Sequence, residues 1–504
     1  MSDDGALGLA VAAQVAAGVR PRQIIIPSDF AFDRARYPIA PEILTTPRGR
    51  RSGKAGYDPF ASTAYQNCRN GRLVWMSPTG NDTSGDGSPA NPFAGLAKCQ
   101  QTLNAAGVPG SVMVKPGNYT QTASQLGVVP IVDTATVVSS GSITGGGVAW
   151  LRTWVAQTWT VDATYINLWK CGELATSVSR VVDTGYQNAF GNPTDYIRVA
   201  SLGLCALMPG SYFADTTGTW CNPFPGRDVV SNLSTHILRQ RDIFNTTLTT
   251  PVNLFWDCDG DANAFLLEGG QKGSHVVTGM AAAPGIKTIV AARGIRAICG
   301  GSNTYGNGAF YANRCDGLVF YERCFGGATW EDVFNVHSQG VASGVPVTSM
   351  VTLNCAGNDA GRVRGAGETV TAGRASTAAS PVSCNYWTGH DKDVAMIDIA
   401  GEYGGGARGQ GMHLVGQAMG MLAGTRTGGS LGDIAAGGTF HPAEIRAADT
   451  ARIWVDGAEP QPISPASWAM LATDAAQIRY ANMLPALGRV GASGSTASIA
   501  EYQP

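Results

Sequence analysis

Residues 73–119 read LVWMSPTGNDTSGDGSPANPFAGLAKCQQTLNAAGVPGSVMVKPGNY, and the order of signals within them decides the fold. LVWMS (73–77) is an apolar run of strand length. Residues 77–93 hold three prolines and three glycines among small polar residues, which is turn chemistry. Asn91 and Pro92 make a helix start, asparagine as N-cap and proline as first helical residue, so a helix is predicted over 91–106. Phe93, Leu96, Gln100 and Leu103 fall around one face, and Gly107 is a natural stop. SVMV (111–114) then reads as a strand closed by the Pro-Gly turn KPGNY (115–119). The helix is long enough to cover the exposed end of a sheet.

Beyond it, short apolar runs alternate with Gly, Asn, Asp and Ser: YIRVAS, NLFW, HVVTGM, KTIVAARGIRAICGG, GLVFYERC, VTSMVTLNC, VAMIDIAGEY and RIWVDG. They return every 20–30 residues or so, and Cys299, Cys324, Cys355 and Cys384 recur on the same scale. LMPGSYF (207–213) echoes VKPGNY. Such a pattern suits a chain in which each turn stacks on the last and buries a continuous core. A β-sandwich is the competing architecture, but a chain this long would need several, with clearer breaks. Composition agrees with an all-β protein: charged residues are 14% of the 504, against roughly 25% in an average globular chain. The 66 glycines are about twice the usual ~7% share. A formal charge of −2 gives no electrostatic basis for nucleic acid as a partner. The eleven cysteines form no CxxC pair or zinc-spaced cluster, which favours buried free thiols and a reducing compartment during folding.

The amino-terminal end has a different character. Ala6–Val19 is apolar but preceded by Asp3 and Asp4 rather than basic residues, and it is too short to span a bilayer. Ser2 as N-cap, the two acids, and Leu7, Val11 and Val15 on one face predict a short helix. From Arg20 to about Asn70 the chain is rich in proline and arginine without a sustained period. It is expected to be extended, without a core of its own, either disordered or lying on another chain. Residues 1–70 therefore read as an attachment arm, 71–455 as the solenoid, and 456–504 as a last rung or helix with a tail. Within that last part, SPASWAMLATDAAQIRY (464–480) reads as a helix.

The segment MSPTGND…DG…NPF, a helix and VKPGNY resemble the start of right-handed parallel β-helix proteins, the pectate-lyase-like polysaccharide-active proteins and bacteriophage tailspikes. The stretches ATWEDVFNVHSQG (328–340) and NYWTGHDKDVAMIDIAGEYGGG (385–406) are similar to parts of phage and prophage spike proteins. The resemblance implies an all-β, right-handed parallel β-helix with an amino-terminal capping helix. It implies a homotrimer on a virion, joined to other virion proteins through residues 1–70 and binding a host surface glycan. Depolymerisation of that glycan stays open. The alternatives are a structural head or tail decoration without activity and, further off, an exported polysaccharide lyase.

The densest polar constellation is Glu331, Asp332 and His337, followed by His390, Asp391 and Asp393 about two rungs later. Glycoside hydrolysis needs two carboxyl groups about 5–9.5 Å apart, one protonated and one ionised, and a nearby histidine can tune them. A lyase would use His337 or His390 as base. The competing reading is solvated turn residues making Asx-type bonds. Trp330, Tyr386, Trp387 and Tyr403 are the candidate sugar contacts, Tyr386 and Trp387 foremost. DCDGDANAFLLE (257–268) has acids at EF-hand-like spacing, but Ala262 stands where the loop requires glycine, and FLL reads as strand. No metal site and no cofactor are predicted.

Overall fold

The computed structural model describes residues 21–45, 51–120 and 139–502. Excepted within the last range are 228–234, 240–243, 248–251, 260–263, 279–287, 301–307, 338–347, 361–386, 391–393, 405–410, 430–442, 463–466, 484–488 and positions 146, 153, 189–190, 271–272, 314, 316, 331 and 495. The predicted helix of residues 6–19 lies outside the described residues.

Three long sheets organise the chain: a first sheet of twelve strands and a second and third of nine each. All neighbouring strands within them are parallel, as in Val252–Asp257 beside Thr288–Arg293 and Phe310–Asn313 beside Phe334–His337. From residue 252 to 473 the chain visits first, second and third sheet in turn and then repeats. The protein is thus all-β with long parallel sheets, consistent with a β-helix-like solenoid. Inward side chains of all three sheets meet in one core, including Leu254, Trp256, Phe265, Leu267, Val277 and Phe310. Identical register positions stack ring on ring, as in Phe310 and Phe334, whose centroids are 4.7 Å apart.

One backbone device repeats at the corner between first and second sheet. Arg323, Asn354 and Ala400 all have positive φ there, as do Gly294, Gly424 and Gly457. A single left-handed residue turns the chain, while its N–H donates to the next rung: Arg323 to Leu353 O (2.9 Å), Asn354 to Ile399 O (2.9 Å), Ala400 to Ala423 O (2.8 Å). The conformation costs a non-glycine residue roughly 1–2 kcal/mol. It is held because the flanking strands are both paired. Cys324 and Cys355 each follow such a corner and are buried, which accounts for part of the cysteine recurrence. Every described cysteine is buried with a free thiol.

The quoted opening stretch builds a strand at Arg72–Met76, a hydrogen-bonded loop, a helix at Leu96–Ala106 and a strand at Gly110–Val114. The helix begins later than the predicted Asn91–Pro92 start. Gly95 is its N-cap, and Asp82 Oδ1 accepts from the N–H groups of Ala94 and Gly95 at 2.8 and 2.9 Å. The loop backbone passes so close to itself that a Cβ on Gly80 would lie 2.1 Å from Phe93 O. That spacing ties Pro92 and Phe93 to the loop rather than to a helical turn. Gly107 ends the helix with φ 65°. Leu96, Cys99 and Leu103 join the core.

Three expectations are corrected. First, residues 21–45 and 51–70 have a core after all, in their own chain. Ile24, Phe30, Tyr37, Ile43, Phe60 and Tyr65 pack on the outer face of the first sheet, against Phe255, Phe320, Val351, Ile397, Met421 and Trp454. Phe30 meets Trp454 edge-on at 5.6 Å and Tyr65 meets Phe255 at 5.2 Å, so the segment runs the length of the sheet. Arg22 pairs with Asp456. Gly53 N–H donates to Asn354 Oδ1 (2.7 Å), and a Cβ on Gly53 would sit 2.5 Å from Ile399 Cγ2. Second, the rungs do not stop near 455. Trp468–Thr473 and Gln477–Ala481 are strands rather than a helix, and pairing continues to Ser498–Glu501. Met470 and Ala472, two apart in one strand, and Ile478 of the next join the solenoid core, so period two prevails over the helix-forming composition.

Third, the solenoid is interrupted. Between Val148–Arg152 of the second sheet and Phe244–Thr247 of the third, residues 154–239 build a five-stranded and a four-stranded sheet, mostly antiparallel. YIRVAS and LMPGSYF belong to this insertion, not to rungs. Its Arg180 is fully buried and paired with Asp195, and Asp183 with Arg227. It is fixed to the solenoid by Asn188 Nδ2 donating to Asp359 Oδ2 (2.6 Å) and Asn192 Nδ2 to Asn358 Oδ1 (2.9 Å).

Phe255→Ala is expected to cost about 3–5 kcal/mol, because a ring packed between Phe60 and Tyr65 leaves a cavity. Removing residues 1–70 should yield aggregated protein by light scattering. A monodisperse truncated chain melting at the full-length temperature would contradict the packing role.

Candidate functional site

Of the two predicted clusters, His337 lies in a strand of the third sheet with Asp332 just before it, and His390 lies in a neighbouring strand. In strand Phe334–His337, Phe334 and Val336 point into the core, so Asn335 and His337 occupy the opposite face. His337 and His390 are Cα partners in neighbouring strands, as are Phe334 and Trp387. The strands of His337 and His390 are therefore one rung apart, not two, because the described strands between them, Thr348–Leu353 and Ala356–Gly357, belong to the first and second sheets and make a single circuit. Neighbouring strands lie about 4.8 Å apart. One row of this face runs Tyr311, Asn335, Thr388, His413 and Arg446 by register.

Asp332 precedes this strand and is buried, with Asn335 Nδ2 donating to its Oδ2 at 2.5 Å. A Cβ on Gly308 would fall 1.5 Å from Asp332 O, so the preceding rung approaches closely here. His337 is only 2% exposed and its ring lies 5.5 Å from that of Tyr311. Trp330 and Tyr403 are buried, not exposed as a sugar contact requires. Tyr403 OH donates to Asp398 Oδ1 (2.7 Å), and that carboxylate also accepts from Thr352 and Thr425 hydroxyls at 2.6 and 2.5 Å. Glu331, Tyr386, Asp391 and Asp393 lie outside the described residues. Trp387 and His390 are placed in their strand by backbone pairing alone.

Burial governs the titration of this region. His413 is pushed down to about 3 by desolvation, with Arg446 adding to the effect. His275, on the core side of the third sheet, also falls to about 3 from desolvation. Its ring lies 5.7 Å from those of Trp256 and Tyr321. Desolvation raises Asp398, Asp359 and Glu322 above the ordinary carboxylate range.

A second concave feature escaped the sequence reading. An open cleft of about 470 Å³ lies over the first rungs, with Arg69, Trp75, Lys115, Thr144, Asp257 and Asp259 in its lining. Trp75, Met113, Thr144, Asp257 and Arg293 form one register row of the first sheet. The signal was present: NLFWD, TIVAAR and LVFYE each place a charge directly after the apolar run. Asp257 and Asp259, weighed as a calcium loop, face arginines. Arg293 Nε lies 2.5 Å from Asp257 Oδ1, its Nη1 3.5 Å from Asp259 Oδ2, and Arg323 also pairs with Asp259. Tyr65 OH donates to Asp257 Oδ2. Among the described residues no group of three or more His, Cys, Asp and Glu side chains is placed to hold a metal.

No family model matches this sequence, and no curated protein matches it. Among solved structures it is similar to one titled a glycoside hydrolase, at 8% identity and TM-score 0.44 over 85% of this chain and 97% of that one. The lacto-N-biosidase of family GH136 from Eubacterium ramulus gives 8% identity and TM-score 0.32 over 85% of this chain and 68% of that one. The tailspike protein gp49 of Pseudomonas phage LKA1 gives 11% identity and TM-score 0.26 over 81% and 71%. Likeness at this level assigns neither a substrate nor a reaction.

Histidines held neutral by burial make stability depend on pH with a definite sign. Unfolded, each binds a proton below its ordinary 6.5; folded, His275 and His413 stay neutral down to about 3. Each contribution is fully present above pH 6.5 and declines as pH falls toward 3, by up to about 1.4 kcal/mol per pH unit. The raised carboxyl groups act with the opposite sign, so comparing variants isolates the histidine. His275→Phe should flatten the fall in stability between neutral pH and about pH 4.5 in denaturant titrations. An unchanged slope would show that His275 does not contribute.

Proposed function

We propose that this chain is a spike- or tail-fibre-type protein of a phage or prophage-derived particle, a right-handed parallel β-helix acting as a homotrimer that binds host surface polysaccharide. The observation that carries the reading is the in-register stacking of three parallel sheets. It lines side chains up in axial rows with one position per rung, so that a rigid surface can meet a linear polymer at successive points. The row from Trp75 to Asp257 lies open in a cleft. The helix Leu96–Ala106 caps the amino-terminal end of the solenoid in this reading. Attachment to the particle falls to residues 1–20, because 21–45 and 51–70 already pack on the first sheet.

A second reading, depolymerisation, is favoured by the register pairing of His337 with His390, with Asp332 just before the strand of His337. It stands second because Asp332 and His337 are buried. The experiment is to immobilise capsule and lipopolysaccharide preparations, measure retention of the purified full chain, and assay the supernatant for reducing ends and unsaturated products. Retention without product is the expected result. A product that falls by about 100-fold or more in His337→Asn would instead establish the second reading. Neither retention nor product would leave the decoration protein as the better account.

A further inference from the structure

Charges around the cleft of the first rungs are arranged in two sets. Asp257 and Asp259 are each engaged by guanidinium groups: Arg293 contacts Asp257 through Nε (2.5 Å) and Nη2 (3.2 Å), and Arg323 pairs with Asp259. Arg323 also lies 3.6 Å from Glu322. These acids therefore present carboxylates whose charge is already met. Arg69 and Lys115 line the same cleft. Arg69 lies in the last turn of helix Thr63–Asn70, is exposed, and has no carboxylate partner among the described residues. Lys115 follows strand Gly110–Val114. Its Nζ donates to Pro89 O (2.7 Å) and stands 5.8 Å from the centre of the Trp75 ring, with no carboxylate partner among the described residues. Of the four charged residues that line the cleft, Asp257 and Asp259 are thus met by arginines, whereas Arg69 and Lys115 have no carboxylate partner among the described residues.

The lining also has an apolar and hydroxyl-bearing part. Trp75 is half-buried, leaving part of its indole toward the cleft, and Met113 and Thr144 follow it one rung at a time. An aromatic surface, acceptors held in place by arginines and two cations without a carboxylate partner among the described residues suit a ligand with an apolar face, hydroxyl donors and one negative charge. A neutral sugar would leave Arg69 and Lys115 unused, and a free divalent cation would meet acids that are already paired.

Resting on the glycan reading above, we infer that this cleft binds an acidic sugar unit of the polymer, its anionic group between Arg69 and Lys115 and its ring over Trp75. The chemistry recognised is one exposed anion on a saccharide, supplied by a uronate carboxylate or by a phosphate substituent. Asp257 and Asp259 accept from sugar hydroxyls while Arg293 and Arg323 hold them in place.

The test measures binding of the full chain to two matched pairs of immobilised bacterial polysaccharides. One is a uronate-containing capsule and its carboxyl-reduced form; the other is a phosphate-bearing polysaccharide and its dephosphorylated form. At least one acidic member should bind about tenfold or more tightly than its neutral partner, and which pair responds identifies the anion. Arg69→Gln and Lys115→Gln should each erase most of that preference, whereas Arg72→Gln, an equal charge change at an exposed position outside this cleft, should leave it intact. Equal binding of the acidic and neutral members of both pairs overturns the acidic-cleft inference while the glycan reading stands. So does a preference that survives both lining variants. Absence of binding to all four polymers counts against the glycan reading itself.

Discussion

The first sheet buries apolar residues on both faces from Phe255 to Trp454, and the rest of the structure depends on how its outer face is covered. Within Val394–Ile399 every residue is buried, Met396 toward the solenoid core and Ile397 toward the outside. A parallel sheet exposed on one side would alternate polar and apolar residues; one buried on both sides reads as a continuous apolar run. The cover is residues 21–45 and 51–70 of the same chain. It makes contacts at Trp454, at Ile399 and Asn354, and at Phe255, before the chain enters the first strand. Rungs far apart in sequence are thereby joined along one face. The same cover places Arg69 and Tyr65 at the end of the row that lines the cleft.

The parallel stacking was legible because its signals are local. Apolar runs of strand length, glycine or asparagine at the corners and small buried residues after them repeat with every circuit, and the corner residues Gly294, Asn354 and Gly424 are types that adopt positive φ readily. The helix of the opening stretch was legible for the same reason, with its buried stripe and Gly107 stop. Its start was misjudged because Asp82, twelve residues before Ala94 in the chain, supplies the cap across a folded loop. Residues 464–480 looked helical by composition, yet a neighbouring rung offered them a paired edge, and tertiary pairing prevailed over propensity.

What stayed hidden was long-range. The proline-rich segment lacks periodicity because it follows the shape of a sheet hundreds of residues away rather than its own hydrogen-bond pattern. Its continuous apolar target was nevertheless visible in runs such as VAMIDI. The insertion of residues 154–239 carries the same short runs and Pro-Gly turn as a rung, so only strand direction distinguishes it. For the site, sequence reasoning brought His337 and His390 to the same region but could not see the burial of Asp332, Trp330 and Tyr403. The cleft was missed because its residues come from the covering helix, the first strands and a corner almost two hundred residues later.

The central claim is that residues 21–45 and 51–70 pack on the first sheet as part of the solenoid rather than as an arm that folds elsewhere. Hydrogen–deuterium exchange on the full chain tests it most directly. The amides of Ile24 and Gly53, bonded to Pro41 O and Asn354 Oδ1, should exchange as slowly as those within Val252–Asp257 and Val394–Ile399. Exchange of residues 21–45 and 51–70 orders of magnitude faster than that of the sheet beneath would contradict it.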